Sequence, residues 1–70
     1  MKSTTIQKYK EVMREFPNGA TVYELAEVLG ISYNGVYKRI EELVEMEIFK
    51  FSSYEKAENG NIKIKYTLNE

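Results

Sequence analysis

The 70-residue chain contains no cysteine, no histidine and no aspartate, and only one proline. Without cysteine there is no disulfide to staple a small fold and no thiolate to bind zinc or attack a substrate. With histidine and aspartate also missing, the usual metal ligands and general bases reduce to glutamate, and no hydroxyl has a partner to activate it. An enzyme is not expected, and neither is a metal or a cofactor. Glu41, Glu42 and Glu45 fall on one exposed helix face and read as solvated carboxylates. Gly30, Gly35 and Gly60 are too scattered for a phosphate-binding loop. A long apolar run and a basic-then-apolar leader are both lacking, so the expectation is a cytoplasmic protein that is neither membrane-spanning nor exported and has no membrane partner. Ten basic residues against eleven acidic ones give a net charge of −1, which withholds the basic footprint common among nucleic-acid binders.

What is present is aromatic and periodic. Six tyrosines and three phenylalanines are generous for one domain spanning residues 1–70, near the size at which a hydrophobic core becomes marginal. Residues 21–46 predict two helices joined by a tight turn. Thr21 with Glu24 forms a capping box, and Val22, Leu25, Ala26 and Leu29 recur at helical spacing before Gly30, a residue suited to a left-handed helix end. Ser32 then caps a second helix whose apolar positions are Val36, Ile40 and Leu43. Such a pair describes a helix-turn-helix.

Residues 4–16 predict helix one, with Ile6, Tyr9, Met13 and Phe16 on one face and Thr4 with Gln7 as a second capping box. Phe16-Pro17-Asn18-Gly19 stops it, and residues 18–20 could supply a short strand. From Ile48 the period becomes two: Phe49 and Phe51, then Ile62, Ile64, Tyr66 and Leu68, alternate with polar residues across a hairpin spanning residues 48–68. A two-residue Asn59-Gly60 turn would pair Ala57 with Ile62 and Phe51 with Leu68, and would set Lys56 against Lys63. A three-residue loop closing on Gly60 would instead pair Glu55 with Lys63, and a bulge near Ser52 could combine the two. The fold class expected is mainly α with a small β-hairpin.

Leu25-Ala26, Gly30-Ile31-Ser32, Val36 and Ile40 together resemble the helix-turn-helix of winged-helix transcription regulators of the MarR, ArsR and GntR kind, and the resemblance runs through nearly the whole chain. At one place the chain departs from it: Glu47 precedes Ile48-Phe49 where such proteins usually have glycine. The resemblance implies a three-helix winged helix-turn-helix that binds double-stranded DNA in transcription regulation, with the second helix of the motif in the major groove and the hairpin as a wing.

For the second helix, the residue chemistry supports Ser32, Tyr33, Asn34, Tyr37 and Lys38 as contacts. A helix start offers free N–H groups to phosphate, Asn34 matches adenine, and Lys38 suits guanine or phosphate. The alternative reading of Tyr33 and Tyr37 is that they only widen the core. For the wing the resemblance points to Lys56, Asn59, Asn61, Lys63 and Lys65, although lysines there also discourage edge-to-edge pairing. One such module buries little surface on DNA, so a homodimer is a candidate assembly, with helix one or the apolar side of the hairpin as its surface. The alternative is a winged-helix module used for protein association, its partner meeting Glu41, Glu42 and Glu45.

Overall fold

A computed structural model of the chain describes residues 1–69. In order, its elements are α1 (Ser3–Met13), β1 (Ala20–Thr21), α2 (Val22–Leu29), α3 (Tyr33–Glu45), β2 (Phe49–Lys56) and β3 (Ile62–Leu68). Three helices and a three-stranded antiparallel sheet make an α+β fold, as the change of period at residue 48 predicts.

Helix α1 starts earlier and ends earlier than residues 4–16. It follows Lys2, which is extended and provides no side-chain cap. That start displaces Thr4 from the N-cap position, so the box with Gln7 does not form, and the Gln7 amide donates to Glu11 instead at 3.3 Å. At the other end, Glu15 donates to Val12 and Phe16 to Met13, each at 3.0 Å. These i→i−3 bonds tighten the last turn in front of Pro17, which disfavours helical angles at Phe16. Phe16 leaves the helix yet still packs against the core.

The short strand expected near residues 18–20 is β1, and it lies one residue further along. Ala20 pairs with Tyr66 and Thr21 with Lys65, so β3 sits between β1 and β2. Gly19 makes this possible: its φ is 96°, and an added Cβ would stand 3.3 Å from the Tyr66 carbonyl. A side chain here would push β1 off β3.

Helix α2 begins with both halves of its capping box. The Thr21 hydroxyl accepts from the Glu24 N–H at 3.2 Å, and the Glu24 carboxylate accepts from the Thr21 N–H at 3.0 Å. It ends at Gly30, with φ of 69°. Helix α3 is capped by Ser32, buries Val36, Ile40 and Leu43, and closes in a Schellman turn. Glu47 donates to the Val44 carbonyl and Ile48 to the Leu43 carbonyl. Glu47 itself takes the left-handed conformation, φ 62°, at the place where glycine is the usual residue.

The hairpin adopts the three-residue loop. Ala57 donates to Asn61 at 2.8 Å, Gly60 donates to Ala57 at 2.9 Å, and Gly60 has φ of 88°. Glu55 therefore faces Lys63 and Lys56 faces Ile62, not the pairs of a two-residue turn. A bulge between Phe51 and Ser53 shifts the register, so that Phe51 faces Tyr66 and Phe49 faces Leu68. Phe49 is the hairpin residue that enters the core, joining Tyr9, Met13, Leu25, Val36, Ile40 and Leu43. Among the described residues no helix is long and apolar enough to cross a membrane.

Candidate nucleic-acid interface

Three pieces of backbone converge on one end of the molecule: the first turn of α2, the first turn of α3 and the start of β3. Capping fixes two of them. The Ser32 hydroxyl accepts from the Gly35 N–H at 3.3 Å, which holds Ser32 at the head of α3 and aims the remaining N–H groups outward. Gly35 has a local reason to be glycine, because an added Cβ would lie 3.1 Å from the Ile31 side chain and 3.3 Å from the Ser32 hydroxyl. It makes room for the cap and the turn rather than for a ligand.

Core burial of Val36, Ile40 and Leu43 turns the other faces of α3 outward. Asn34 and Lys38 are exposed, four residues apart on one side of the helix. Tyr33 and Tyr37 are also exposed, on the side that faces the hairpin. Their rings stack with centroids 6.0 Å apart, and Tyr33 meets Tyr23 of α2 at 4.6 Å. The three rings border a cavity of about 110 Å³ together with Lys63, Ile64 and Tyr66. Tyr33 and Tyr37 thus extend the packing while keeping an exposed edge, so their two expected roles coexist.

The nearby Glu41 carboxylate, first as an acceptor for the hydroxyl and then through its negative charge, raises the Tyr37 hydroxyl above its ordinary pKa. The acidic face is accordingly less open than its sequence implies: Glu41 turns toward the tyrosines, and Glu42 lies 3.9 Å from Arg39. Among the described residues no group of three acidic side chains is placed to hold a metal ion.

The hairpin residues separate by face. Lys65 is ion-paired with Glu55 at 3.4 Å, on the polar side with Lys50 and Ser53. The Lys63 ammonium sits over the Tyr23 ring, 5.3 Å from its centroid. At the tip, Asn59 is used by its own turn, its Oδ1 accepting from the Asn61 N–H at 3.0 Å. The Asn61 side chain is exposed. Lys56 lies across from Ile62, on the opposite face from Lys65. Asn61 and Lys63 line a shallow recess with Tyr23, so the tip leans toward the start of α2. The structure therefore brings Ser32, Tyr33, Tyr37, Lys63 and Asn61 to one end and places Asn34 and Lys38 beside them, while Lys65, on the same sheet face as Lys63, is tied to Glu55.

Two participants were not foreseen from the sequence. Tyr23 joins α3 to the hairpin, and Tyr66 closes the cavity beneath it. The signal for Tyr23 was its position in the first turn of α2, off the stripe of Val22, Leu25 and Leu29, where a large ring has no place in that helix's own core face. Neither a family model, nor a curated protein, nor a solved structure matches this chain.

Proposed function

We propose that this chain is a winged-helix DNA-binding protein, a small transcription regulator that inserts α3 into the major groove and lays the hairpin beside it as a wing. The observation that carries the reading is the exposed pair Asn34 and Lys38 at the capped start of α3, with Lys63 and Asn61 of the hairpin gathered at the same end. Asn34 offers the paired donor and acceptor that adenine requires, Lys38 reaches guanine or phosphate, and the free N–H groups behind Ser32 receive a phosphate. Tyr33 and Tyr37 border the strip and add hydroxyl donors. Repression or recruitment follows from occupancy of the site.

The charge of the chain shapes this function. A net charge of −1 leaves few phosphate contacts, so affinity depends on a small number of well-placed groups and on assembly. The test is titration of isotope-labelled protein with duplex DNA at two salt concentrations, read by NMR. Shifts confined to residues 32–38 and the hairpin tip, weakening with salt, are expected. An unchanged spectrum at low salt and high micromolar DNA overturns the reading.

A further inference from the structure

The outer half of the hairpin carries an apolar face that the other described residues leave largely exposed. Phe51, Tyr54, Ile62 and Ile64 are 56, 67, 63 and 43 % exposed. The register places all four on the helix side of the sheet, since Phe51 faces Tyr66, Tyr54 faces Ile64 and Lys56 faces Ile62. The bulge at Ser52 is what brings Tyr54 there. An unbroken alternation from Phe49 and Phe51 would continue through Ser53 and Glu55, setting polar residues of β2 opposite Ile64 and Ile62. The chain instead interrupts its ladder and turns a tyrosine and a lysine to that side. The bulge thus re-aims an aromatic side chain onto the exposed face.

The layout of the face selects its occupant. It is a strip with opposite charges at its two ends. Lys56 stands at the tip end, beside Ile62. At the other end lies Glu41, exposed one helical turn beyond Tyr37, which lines the same cavity as Ile64 and Tyr66. A two-fold axis that crosses the strip at its middle exchanges its ends. We propose that two copies of this chain dock face to face through the outer half of the hairpin, about an axis near the Tyr54 and Ile64 pair, with Lys56 of each copy against Glu41 of the other. Apolar side chains meet apolar side chains in the centre, and each charge finds its opposite at the rim, which is the self-complementarity an isologous contact requires.

The area agrees. At these exposures the four side chains present roughly 500 Å², the upper end of what a monomer leaves uncovered and the larger part of the ~800 Å² that one partner contributes to a standard interface. Lys56 and Glu41, both exposed at the rim, add to it. The face leaves Asn34 and Lys38 open, and the inference does not rest on DNA binding.

Sedimentation over a wide concentration range, without nucleic acid, tests it. The parent is expected to dimerise. Tyr54→Ser, at a position that is largely exposed, is expected to weaken the dimer roughly tenfold or more with the circular dichroism spectrum preserved. Lys56→Glu and Glu41→Lys should each weaken it as well, and together they should restore it. A parent that stays monomeric at high micromolar concentration overturns the proposal. So does a dimer that Tyr54→Ser leaves intact, which would place the contact elsewhere, or a double charge reversal that fails to recover association.

Discussion

The side-chain amide of Asn69 donates to the backbone carbonyl of Glu47 at 2.8 Å, across 22 residues of chain. The Asn69 N–H donates to Ile48 at 2.9 Å. Between them these bonds fasten the end of β3 to the turn that leaves α3, so the direction of the hairpin relative to α3 depends on the conformation at Glu47. That conformation is left-handed, with φ of 62°.

A left-handed residue with a Cβ costs about 1–2 kcal/mol, while glycine loses about 0.5–1 kcal/mol more chain entropy than alanine on folding. Glu47→Gly should therefore stabilise the fold by about 0.5–1 kcal/mol, a rise of a few degrees in Tm for a chain of this size. The Asn69 bond reaches the backbone carbonyl and survives the change. Thermal denaturation followed by circular dichroism measures this, and an unchanged or lower Tm would show that the Glu47 side chain contributes more than the strain it imposes.

Tyr23 and Tyr33 join the starts of α2 and α3 through rings 4.6 Å apart and inclined at 39°. Both keep solvent-exposed edges, so their coupling should lie near the low end for aromatic pairs, about 0.5 kcal/mol. A double-mutant cycle with Tyr23→Ala and Tyr33→Ala, read by urea denaturation, gives that number. Strict additivity would remove the ring pair as a link between the two helices.

Burial raises the hydroxyl pKa of Tyr9, an effect that the Arg39 charge partly opposes. Burial also raises that of Tyr66, reinforced by the negative charge of Glu41. Both ordinary values are 10.0. The unfolded chain therefore releases these protons first as pH rises: it binds fewer protons than the native state above pH 10, and stability falls there. Below that the two phenols are neutral in both states and contribute fully. Urea midpoints should drop above pH 10, and Tyr9→Phe should lessen the drop. Equal slopes in variant and parent would sink the role of the buried phenol.

The parts of this fold that were legible in the sequence are those decided within one helical turn. Thr21 with Glu24, Gly30 and Ser32 each satisfy backbone groups three or four residues away, so residue type alone announces the helix ends. The α1 capping box failed for the same kind of reason: Thr4 and Gln7 have the right spacing, but nothing local prevents the helix from starting two residues sooner, with Lys2 in place of Thr4 at the cap. The hairpin register lay beyond local signals. Asn59-Gly60 suits a two-residue turn and a three-residue loop alike, and the outcome depends on how β3 meets both β1 and β2. Since register decides which residues face each other, the partners of Lys65 and Lys63 stayed hidden even though both lysines stood out as candidates. Exposure of Asn34 and Lys38 was legible because helical periodicity sets it.

Asn34 and Lys38 carry the sharpest functional prediction. Both lie outside the buried set of α3, so replacing either should leave the fold intact, and any change in binding reports contact with the ligand. If Asn34 pairs with adenine, Asn34→Ala should relax preference at one base position by about 1–3 kcal/mol and leave affinity for unrelated sequences unchanged. If Lys38 meets a phosphate, Lys38→Ala should weaken all sequences alike and reduce the salt slope by about one unit. The parent slope itself should be shallow, on the order of −3 to −5 per copy, because the chain has little positive charge to spend on phosphates. Binding to a selected duplex over a salt series separates the two effects, since one changes with sequence and the other with ionic strength. Two variants that bind that duplex as tightly as the parent would take α3 out of the groove and leave the hairpin lysines as the remaining route to DNA.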